Sequence, residues 1–212
     1  QLTAQNIELE KEIVSRTRVE SLLQAGRERL AIQSRALMAL ARSDAIGEGD
    51  LDAALRQITA AAAQTLDVDR ASIWLAEPDL SAIRCICLHV KSKSEYTEGA
   101  VLKREDYPSY FAALGANRII AASDAAHDPR TSEFAENYLA PLDIASMLDA
   151  PVRSGQRLAG IVCNEHTGPA REWNIEEENF VASLADFVAL ALEAHERKMA
   201  ETSMSLSMVL SR

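Results

Sequence analysis

The sequence has little positive charge, few glycines and no long apolar run, and each shortage excludes a class of function. Its 22 lysines and arginines stand against 32 aspartates and glutamates, which gives a net charge of −10. Nucleic-acid binding needs a basic face, so we expect no nucleic-acid partner. The eight glycines form no phosphate-binding loop of the Rossmann or P-loop type. The longest nearly apolar stretch, residues 180–194, contains two acids and is too short to span a bilayer, so we expect no direct membrane contact by this chain.

Cysteine is also scarce, with only Cys85, Cys87 and Cys163 present. This odd set lacks metal-ligand spacing, so it implies no disulfide framework and predicts reduced thiols in a cytoplasmic compartment. Cys85 and Cys87 are two residues apart on a predicted strand, which places both thiols on one face. Buried core thiols are the first interpretation. A redox sensor or a thiol enzyme is the second, and it requires an exposed thiolate of low pKa near a resolving partner.

The four histidines are dispersed, and no pair of them has the spacing of a metal site. A haem needs only one imidazole, so His127 or His166 is the candidate ligand if this chain holds a haem. The simpler interpretation is that these histidines hydrogen-bond their own loops. No serine, histidine and aspartate constellation and no paired carboxylates are evident, so we expect no catalysis by this piece of chain.

Residues 1–42 form the first predicted segment, a long helix that is rich in Glu, Arg, Leu and Ala and contains no proline. Leucines recur at seven-residue intervals in this segment, with Arg16 interrupting the series: Leu2, Leu9, Leu23, Leu30 and Leu37. We predict that the helix pairs with its symmetry mate. The alternative is a solvated helix that packs on its own domain.

Residues 43–197 form the second segment, a single α+β domain. Asp50 is the predicted N-cap of a helix with apolar residues at helical spacing, and strands follow over 70–76 and 81–90. Asp106 is the predicted cap of a short helix that ends at Gly115. Asn174 opens the last helix, and residues 198–212 continue it as a helix or linker. Since the sequence starts without methionine, we expect a piece of a longer chain, with an output domain or a membrane sensor beyond it.

The predicted central hairpin joins strands 145–153 and 156–164 through Ser154 and Gly155. Both strands are apolar at nearly every position, which predicts that both sheet faces are covered. We expect helices over one face and a lidded cavity over the other. Pro151 requires a bulge or an unpaired edge position in its strand.

Several motifs in this order resemble a bacterial GAF domain: 66–75 (LDVDRASIWL), 128–131 (DPRT), 138–139 (YL), 146–151 (SMLDAP) and 171–173 (REW). The first helix resembles the linker helices of bacterial histidine kinases and diguanylate cyclases. The resemblance implies a dimeric regulatory module, in which a small-molecule cavity sends a signal through the terminal helices. Bilin-binding relatives carry a Cys-His pair where this chain has Phe134 and Ala135, which argues against a covalent bilin. The asparagine, lysine, phenylalanine, aspartate and glutamate set of cyclic-nucleotide binders is not found either.

The predicted ligand pocket lies between the sheet and the lid, and its ligand is an unidentified small molecule. The candidate wall residues come from strands, lid helices and loops: Trp74, Cys85, Cys87, Tyr107, Tyr110, Phe111, His127, Phe134, Tyr138, Met147 and Asp149. Three hypotheses remain open. The first is a ligand sensor, which a cavity of roughly a few hundred Å³ with convergent polar groups would favour. The second is a ligand-free scaffold for dimerisation and relay, which a filled cavity would favour. The third is a cysteine-based redox sensor or an enzyme similar to methionine sulfoxide reductase.

Overall fold

The structure is a computed structural model that describes residues 2–210, with side-chain surroundings for residues 6, 8, 9 and 11–205. The chain divides into two compact units, of which the first ends at Ala36 and the second begins at Leu37. Helix α1 spans Leu2–Ala41, which confirms the predicted long N-terminal helix. Leu9, Leu23 and Leu30 are at least half exposed, while the side chain of Leu2 lies outside the described residues. Pairing of α1 with a second copy stays a prediction.

One open antiparallel sheet forms the centre of the second unit. Its strands are β1 (Arg70–Ala76), β2 (Ala82–Val90), β3 (Glu95–Thr97), β4 (Val101–Lys103), β5 (Ile120–Ala122), β6 (Ile144–Ser154) and β7 (Arg157–Thr167). The strand order is β3-β2-β1-β7-β6-β5, and β4 pairs with β2 beside β3. This arrangement confirms the predicted α+β class.

The β6–β7 hairpin is the longest pairing in the sheet and matches the predicted central hairpin. Gly155 takes a φ of +61° at the turn, a conformation that glycine adopts without steric cost. Pro151 pairs with Ile161 of β7, whereas β5 pairs only with residues 147–149 on the other side of β6. Pro151 therefore lies on an open edge, where its missing N–H costs no ladder hydrogen bond.

Helices α3 (Leu51–Leu66) and α5 (Ile175–Leu210) pack against one face of the sheet, beside the short helix α2 (Asp44–Gly47). Asp50 caps α3 by accepting a hydrogen bond from the Ala53 N–H, as predicted. Asn174 and Glu177 each accept a hydrogen bond from the other's backbone N–H, which forms a capping box at the start of α5. In the stretch from residue 2 to residue 210, no helix is both long enough and apolar enough to cross a membrane.

The opposite face of the sheet is covered by what we call the lid. It consists of α4 (Pro108–Ala116), the loop 123–131 and a run of short 3-10 and π turns over 132–142. Asp106 was predicted to cap α4, and this is wrong. The N–H groups of Ser109 and Tyr110 donate instead to the carboxylate of Glu133, at 3.0 to 3.2 Å. Glu133 lies in the lid turns, so its cap joins the two helical parts of the lid.

A β-bulge in β2 corrects the predicted placement of the cysteines. Cys87 is opposite Ile73 and Cys85 is opposite Trp74, so Ile86 is an extra residue between two consecutive partners. The extra residue reverses the alternation of side chains. Cys87 consequently faces the helices, where its Sγ lies 3.6 Å from the Thr59 hydroxyl of α3, while Cys85 faces the lid. The prediction that both thiols share one face is therefore wrong.

Candidate functional site

Most of the predicted wall residues meet in one cluster between the sheet and the lid, which we call the lid core. The predicted residues buried in it are Trp74, Cys85, Tyr110, Phe111, Phe134 and Met147, with Tyr107 and Tyr138 packed against it half-buried. Phe134 is the aromatic centre of the cluster, with its ring centroid 4.4 Å from that of Tyr107 and 4.9 Å from that of Tyr110. The lid is therefore anchored by aromatic packing.

The lid core is closed in this conformation. The cavity between the sheet and the lid has a volume of about 10 Å³, and it is lined by Trp74, Tyr110, Phe134, Met147 and neighbouring side chains. That space holds about one water molecule. The predicted open cavity of ligand size is therefore wrong for this conformation, because aromatic and methionine side chains fill the space.

A buried ion pair crosses the lid core at one end. The Arg70 Nε donates to the Glu165 carboxylate at 2.7 Å, and the Tyr138 hydroxyl donates to the other carboxylate oxygen at 2.6 Å. The Glu165 side chain is 2% exposed. Burial alone lowers the pKa of Arg70, but the Glu165 carboxylate raises it above its usual value. Arg70 therefore stays charged, and Tyr138 ties this ion pair to the lid.

A second polar chain lies at the centre of the lid core. The Tyr110 hydroxyl donates to one Asp149 oxygen at 2.6 Å and lies 3.7 Å from the Cys163 Sγ. The other Asp149 oxygen is buried and has no hydrogen-bond partner. Burial, together with the nearby Glu165 charge, raises the pKa of Asp149 from 3.8 to about 7, although the Tyr110 hydrogen bond opposes the rise. Asp149 therefore changes charge near neutral pH.

The pairing register explains why these groups converge. Glu165 is opposite Arg70 on β1 and Met147 on β6, while Cys163 is opposite Asp149 on β6. Directly opposite residues in an antiparallel pair point to the same face. Three neighbouring strands therefore present a patch with two carboxyl groups and one arginine to the underside of the lid.

The thiols are buried and unreactive in this arrangement. Burial raises the pKa of Cys85 to about 12 and holds the pKa of Cys163 well above its ordinary value. The pKa of Cys87 is also raised, mainly by burial and against the effect of its hydrogen bond with Thr59. A redox sensor or thiol enzyme needs an accessible thiolate. The geometry therefore gives the thiol hypothesis no support.

Two of the predicted site residues lie elsewhere. Cys87 faces the helices because of the bulge. His127 is exposed on the lid loop, where its Nδ1 lies 3.0 Å from both carboxylate oxygens of Asp124. This matches the simpler interpretation, in which the histidine bonds its own loop. Within the described part of the chain, no three His, Cys, Asp or Glu side chains are grouped as a metal site requires.

Three residues of the lid core were missed by the sequence prediction: Arg70, Cys163 and Glu165. Glu165 was missed because the second strand of the hairpin was predicted to end at Asn164, whereas β7 continues to Thr167. The available signal was the alternation of Cys163 with Glu165, two residues apart beside the apolar run. Arg70 was assigned only as the first residue of its strand.

A larger depression of about 300 Å³ lies outside the lid core, between the C-terminal end of α4, the edge of β6 and α5. Arg153 donates there to the carbonyl oxygens of Leu114 and Gly115, at 3.2 and 3.4 Å. These are the unpaired carbonyls of the α4 C-terminus, which favour a cation. Arg153 therefore has a capping role, and the polar groups that converge in the lid core make it the better candidate site.

Comparison with known proteins identifies the family. The family model described as the GAF domain matches residues 50–192. The GAF domain of an Acinetobacter phosphoenolpyruvate-protein phosphotransferase superposes with a TM-score of 0.60 at 15% identity, covering 80% of this chain and 95% of its own. The phycoerythrobilin-bound GAF domain of a cyanobacterial phytochrome superposes with a TM-score of 0.65 at 20% identity, covering 78% of this chain and 96% of its own.

These structural similarities lie below 25% identity and show the fold alone. No curated protein sequence matches this chain significantly. The family model, in contrast, covers well over half of the chain and includes every strand of the sheet and the whole lid. The resemblance seen in the sequence is thereby confirmed, and this chain belongs to the GAF domain family.

Proposed function

We propose that this GAF domain is the small-molecule sensor of a signal-transduction protein, and that its ligand binds between the sheet and the lid. The observation that supports the proposal is the convergence of Arg70, Glu165, Tyr138, Tyr110 and Asp149 within an otherwise apolar lid core. Buried charged groups often stabilise a fold less than apolar side chains of similar volume do. A polar patch enclosed by aromatic walls is typical of a ligand site.

Ligand binding in this proposal requires the lid to open, since the core is closed. The lid turns over 132–142 are short 3-10 and π segments, which have poorer hydrogen-bond geometry than an α-helix. Glu133 and the stacking of Phe134 on Tyr107 join these turns to α4. The two parts of the lid should therefore move together, while the sheet below stays paired.

The signal leaves through the strands that hold the polar patch. Helix α5 packs on β6 and β7 from the side opposite the lid, so a ligand that shifts these strands also shifts α5. Near its middle, α5 contacts the turn before α3, where the His195 Nδ1 lies 3.1 Å from the Gly49 carbonyl oxygen. A histidine kinase or diguanylate cyclase output domain beyond α5 fits this route. The function of the piece itself is binding and relay, not catalysis.

Native mass spectrometry of the protein purified from its natural source tests the proposal. We expect a mass above that of the chain per subunit, whether the protein is a monomer or a dimer, from a ligand that remains bound. The Tyr138→Phe/Asp149→Asn double variant keeps the core volume but removes recognition groups, so its bound fraction should fall. Asp186→Asn, on the exposed surface of α5, is the matched control and should retain the ligand. A bare chain mass for the wild type contradicts the proposal.

Dimerisation through the terminal helices belongs to the same proposal. It is supported by the exposed Leu9, Ile13, Leu23 and Leu30 of α1, because a solvated helix rarely exposes so many large apolar side chains in a repeating pattern. Replacing Leu9, Leu23 and Leu30 together with serine should give a folded monomer. The test is sedimentation at roughly tens of micromolar, which is well above the dissociation constants of stable dimers. A monomeric wild type contradicts dimerisation through α1, and so does a triple variant that is still a dimer.

A ligand-free scaffold is the second candidate function, and the filled core favours it. If Phe134, Tyr110 and Met147 occupy the space permanently, the domain only connects the two terminal helices. A scaffold is expected to show a bare mass together with a dimer that depends on the leucines of α1. The mass and the sedimentation measurements therefore separate the two functions.

A further inference from the structure

We propose that the lid core recognises a small organic cation, namely a molecule with an ammonium group or a protonated ring nitrogen. This inference rests on the proposed function and names the ligand class for the same site. Its basis is the imbalance of charge in the lid core, where two carboxyl groups lie on adjacent strands and the arginine pairs with only one of them.

Arg70 already forms an ion pair with Glu165. Arg70 donates through Nε to one Glu165 oxygen, and Tyr138 donates to the other, so both oxygens of that carboxylate have partners. Asp149 has one donor, the Tyr110 hydroxyl, and its second oxygen has none although the residue is 0% exposed. An ionised, buried carboxylate without a counter-charge is strongly unfavourable. A bound cation supplies the positive charge that the described residues of the lid core lack.

The walls of the lid core also suit a cation. Trp74, Tyr110, Phe134 and Tyr138 surround the small cavity together with Glu165. The faces of aromatic rings attract cations, most strongly where water is excluded, and sets of such rings are a common way to bind ammonium groups. Asp149 does not line this cavity itself, but its carboxylate is hydrogen-bonded to Tyr110, which does. The aromatic walls and the unpaired Asp149 oxygen therefore favour the same ligand charge.

An anionic ligand fits the same groups poorly. It would meet two carboxyl groups, and its only cationic partner, Arg70, is already paired with Glu165 at 2.7 Å. Binding an anion requires that ion pair to break inside the core, which leaves Glu165 as an uncompensated buried charge. An uncharged ligand satisfies hydrogen bonds but leaves the charge imbalance unchanged.

Isothermal titration calorimetry with choline and its uncharged carbon isostere dimethylbutanol tests the charge preference directly. The two probes have nearly the same shape, so a difference in affinity reports the charge. A second pair, benzylammonium and benzyl alcohol, covers a flatter ligand with a primary ammonium group. We expect the cation of at least one pair to bind roughly tenfold more tightly than its neutral partner.

Asp149→Asn should reduce this preference to within about twofold, because asparagine keeps the volume and the acceptor for Tyr110 but not the charge. The control Asp186→Asn should behave as the wild type. Tyr110→Phe provides a second test, since it removes a hydrogen bond that lowers the pKa of Asp149 but keeps the carboxyl group and the ring. In this variant the preference for the cation should appear at a higher pH than in the wild type.

The pH dependence of choline binding gives an independent check, because the charge of choline does not change with pH. Affinity should increase with pH up to about 7 and then level off, as Asp149 ionises. The other titratable groups of the lid core are Tyr110 and Tyr138 from the lid, Arg70 from β1, Cys85 from β2, and Cys163 and Glu165 from β7. Of these, Tyr110, Cys163 and Glu165 affect the pKa of Asp149. In Asp149→Asn the increase should be absent.

Equal or weaker binding of the cation in both probe pairs overturns the cation proposal, and so does a preference that survives in Asp149→Asn. Binding by neither cation at millimolar concentration overturns it as well. These outcomes leave the proposed sensor function standing if the source-purified protein carries a neutral or anionic molecule. A bare chain mass contradicts the sensor function itself, so the two failures are distinguishable.

Discussion

Replacement of Asp149 by asparagine should change how the stability of this domain depends on pH. Asp149 is buried beneath α4, where the Tyr110 hydroxyl donates to one of its oxygens and the other has no partner. Asparagine has almost the same shape and can still accept the Tyr110 hydrogen bond, but it does not ionise. The variant therefore isolates the free energy of one buried carboxyl group.

The expected magnitude follows from the pKa of Asp149, which burial raises from 3.8 to about 7 in the folded protein. The folded state binds the proton more tightly than the unfolded state, so protonation stabilises the fold, and this stability is lost as pH rises toward 7. Each pH unit within that window corresponds to about 1.4 kcal/mol. The wild type should lose about 3 kcal/mol of unfolding free energy from this group between about pH 5 and about pH 8.

Urea denaturation of both proteins across this pH range measures the effect. The difference between wild type and Asp149→Asn cancels the contributions of the other titratable groups, provided that the urea dependence of the unfolding free energy stays the same. The unfolding free energy of Asp149→Asn minus that of the wild type should increase as pH rises. Parallel stability curves for the two proteins refute the claim that Asp149 titrates near neutral pH in the folded state.

Three further predictions concern the packing of α5, the cap of α4 and the reactivity of Cys163. Gly49→Ala should destabilise the domain by more than about 1 kcal/mol in thermal melts, because Gly49 has a φ of +71° and an added Cβ would lie 2.7 Å from the Ala194 carbonyl oxygen. The control is Gly99→Ala, which also has a positive φ but has open space around the added Cβ, so it reports the backbone strain alone. Glu133→Ala should cost about 1 kcal/mol by urea denaturation, since the α4 N-terminus loses its acceptor, and an unchanged stability contradicts the cap. Cys163 should react with a thiol reagent only at the rate of unfolding, because it is buried with a raised pKa; fast reaction in the folded protein restores the redox hypothesis.

The elements of this fold that depend on local sequence were predictable. Asp50 and Asn174 precede amphipathic segments and cap helices in the structure, as their side chains and positions indicate. Gly155 follows the last residue of β6 and begins the turn, and its positive φ explains why glycine is there. These signals reach only a few residues along the chain.

The features that depend on long-range pairing were not predictable in the same way. The bulge at Ile86 shows only in the register between β1 and β2, and it decides which cysteine faces the lid. The cap of α4 comes from Glu133, which is 24 residues from Ser109 in the sequence, so the nearer Asp106 was chosen instead.

Sequence analysis identified the apolar members of the candidate site together with Asp149, but it missed the ion pair of Arg70 and Glu165. Tyr110 and Phe134 were identified because large apolar residues in lid segments have to be buried, and Met147 because it lies in the apolar central hairpin. Glu165 and Arg70 are charged residues near strand ends, where charged residues usually meet solvent. Only the pairing of β1 with β7 brings them together within the core.

Hydrogen exchange of the lid compared with the sheet tests the central claim most directly, because a closed core can admit a ligand only if the lid opens while the sheet stays intact. Mass spectrometry should show that the amides of residues 132–142 exchange through local opening, at rates that respond little to low concentrations of denaturant. The amides of β6 and β7 should exchange only through global unfolding. If the lid amides are as strongly protected as those of β6 and β7 and exchange only with them, the core is sealed, and the sensor function between sheet and lid is contradicted.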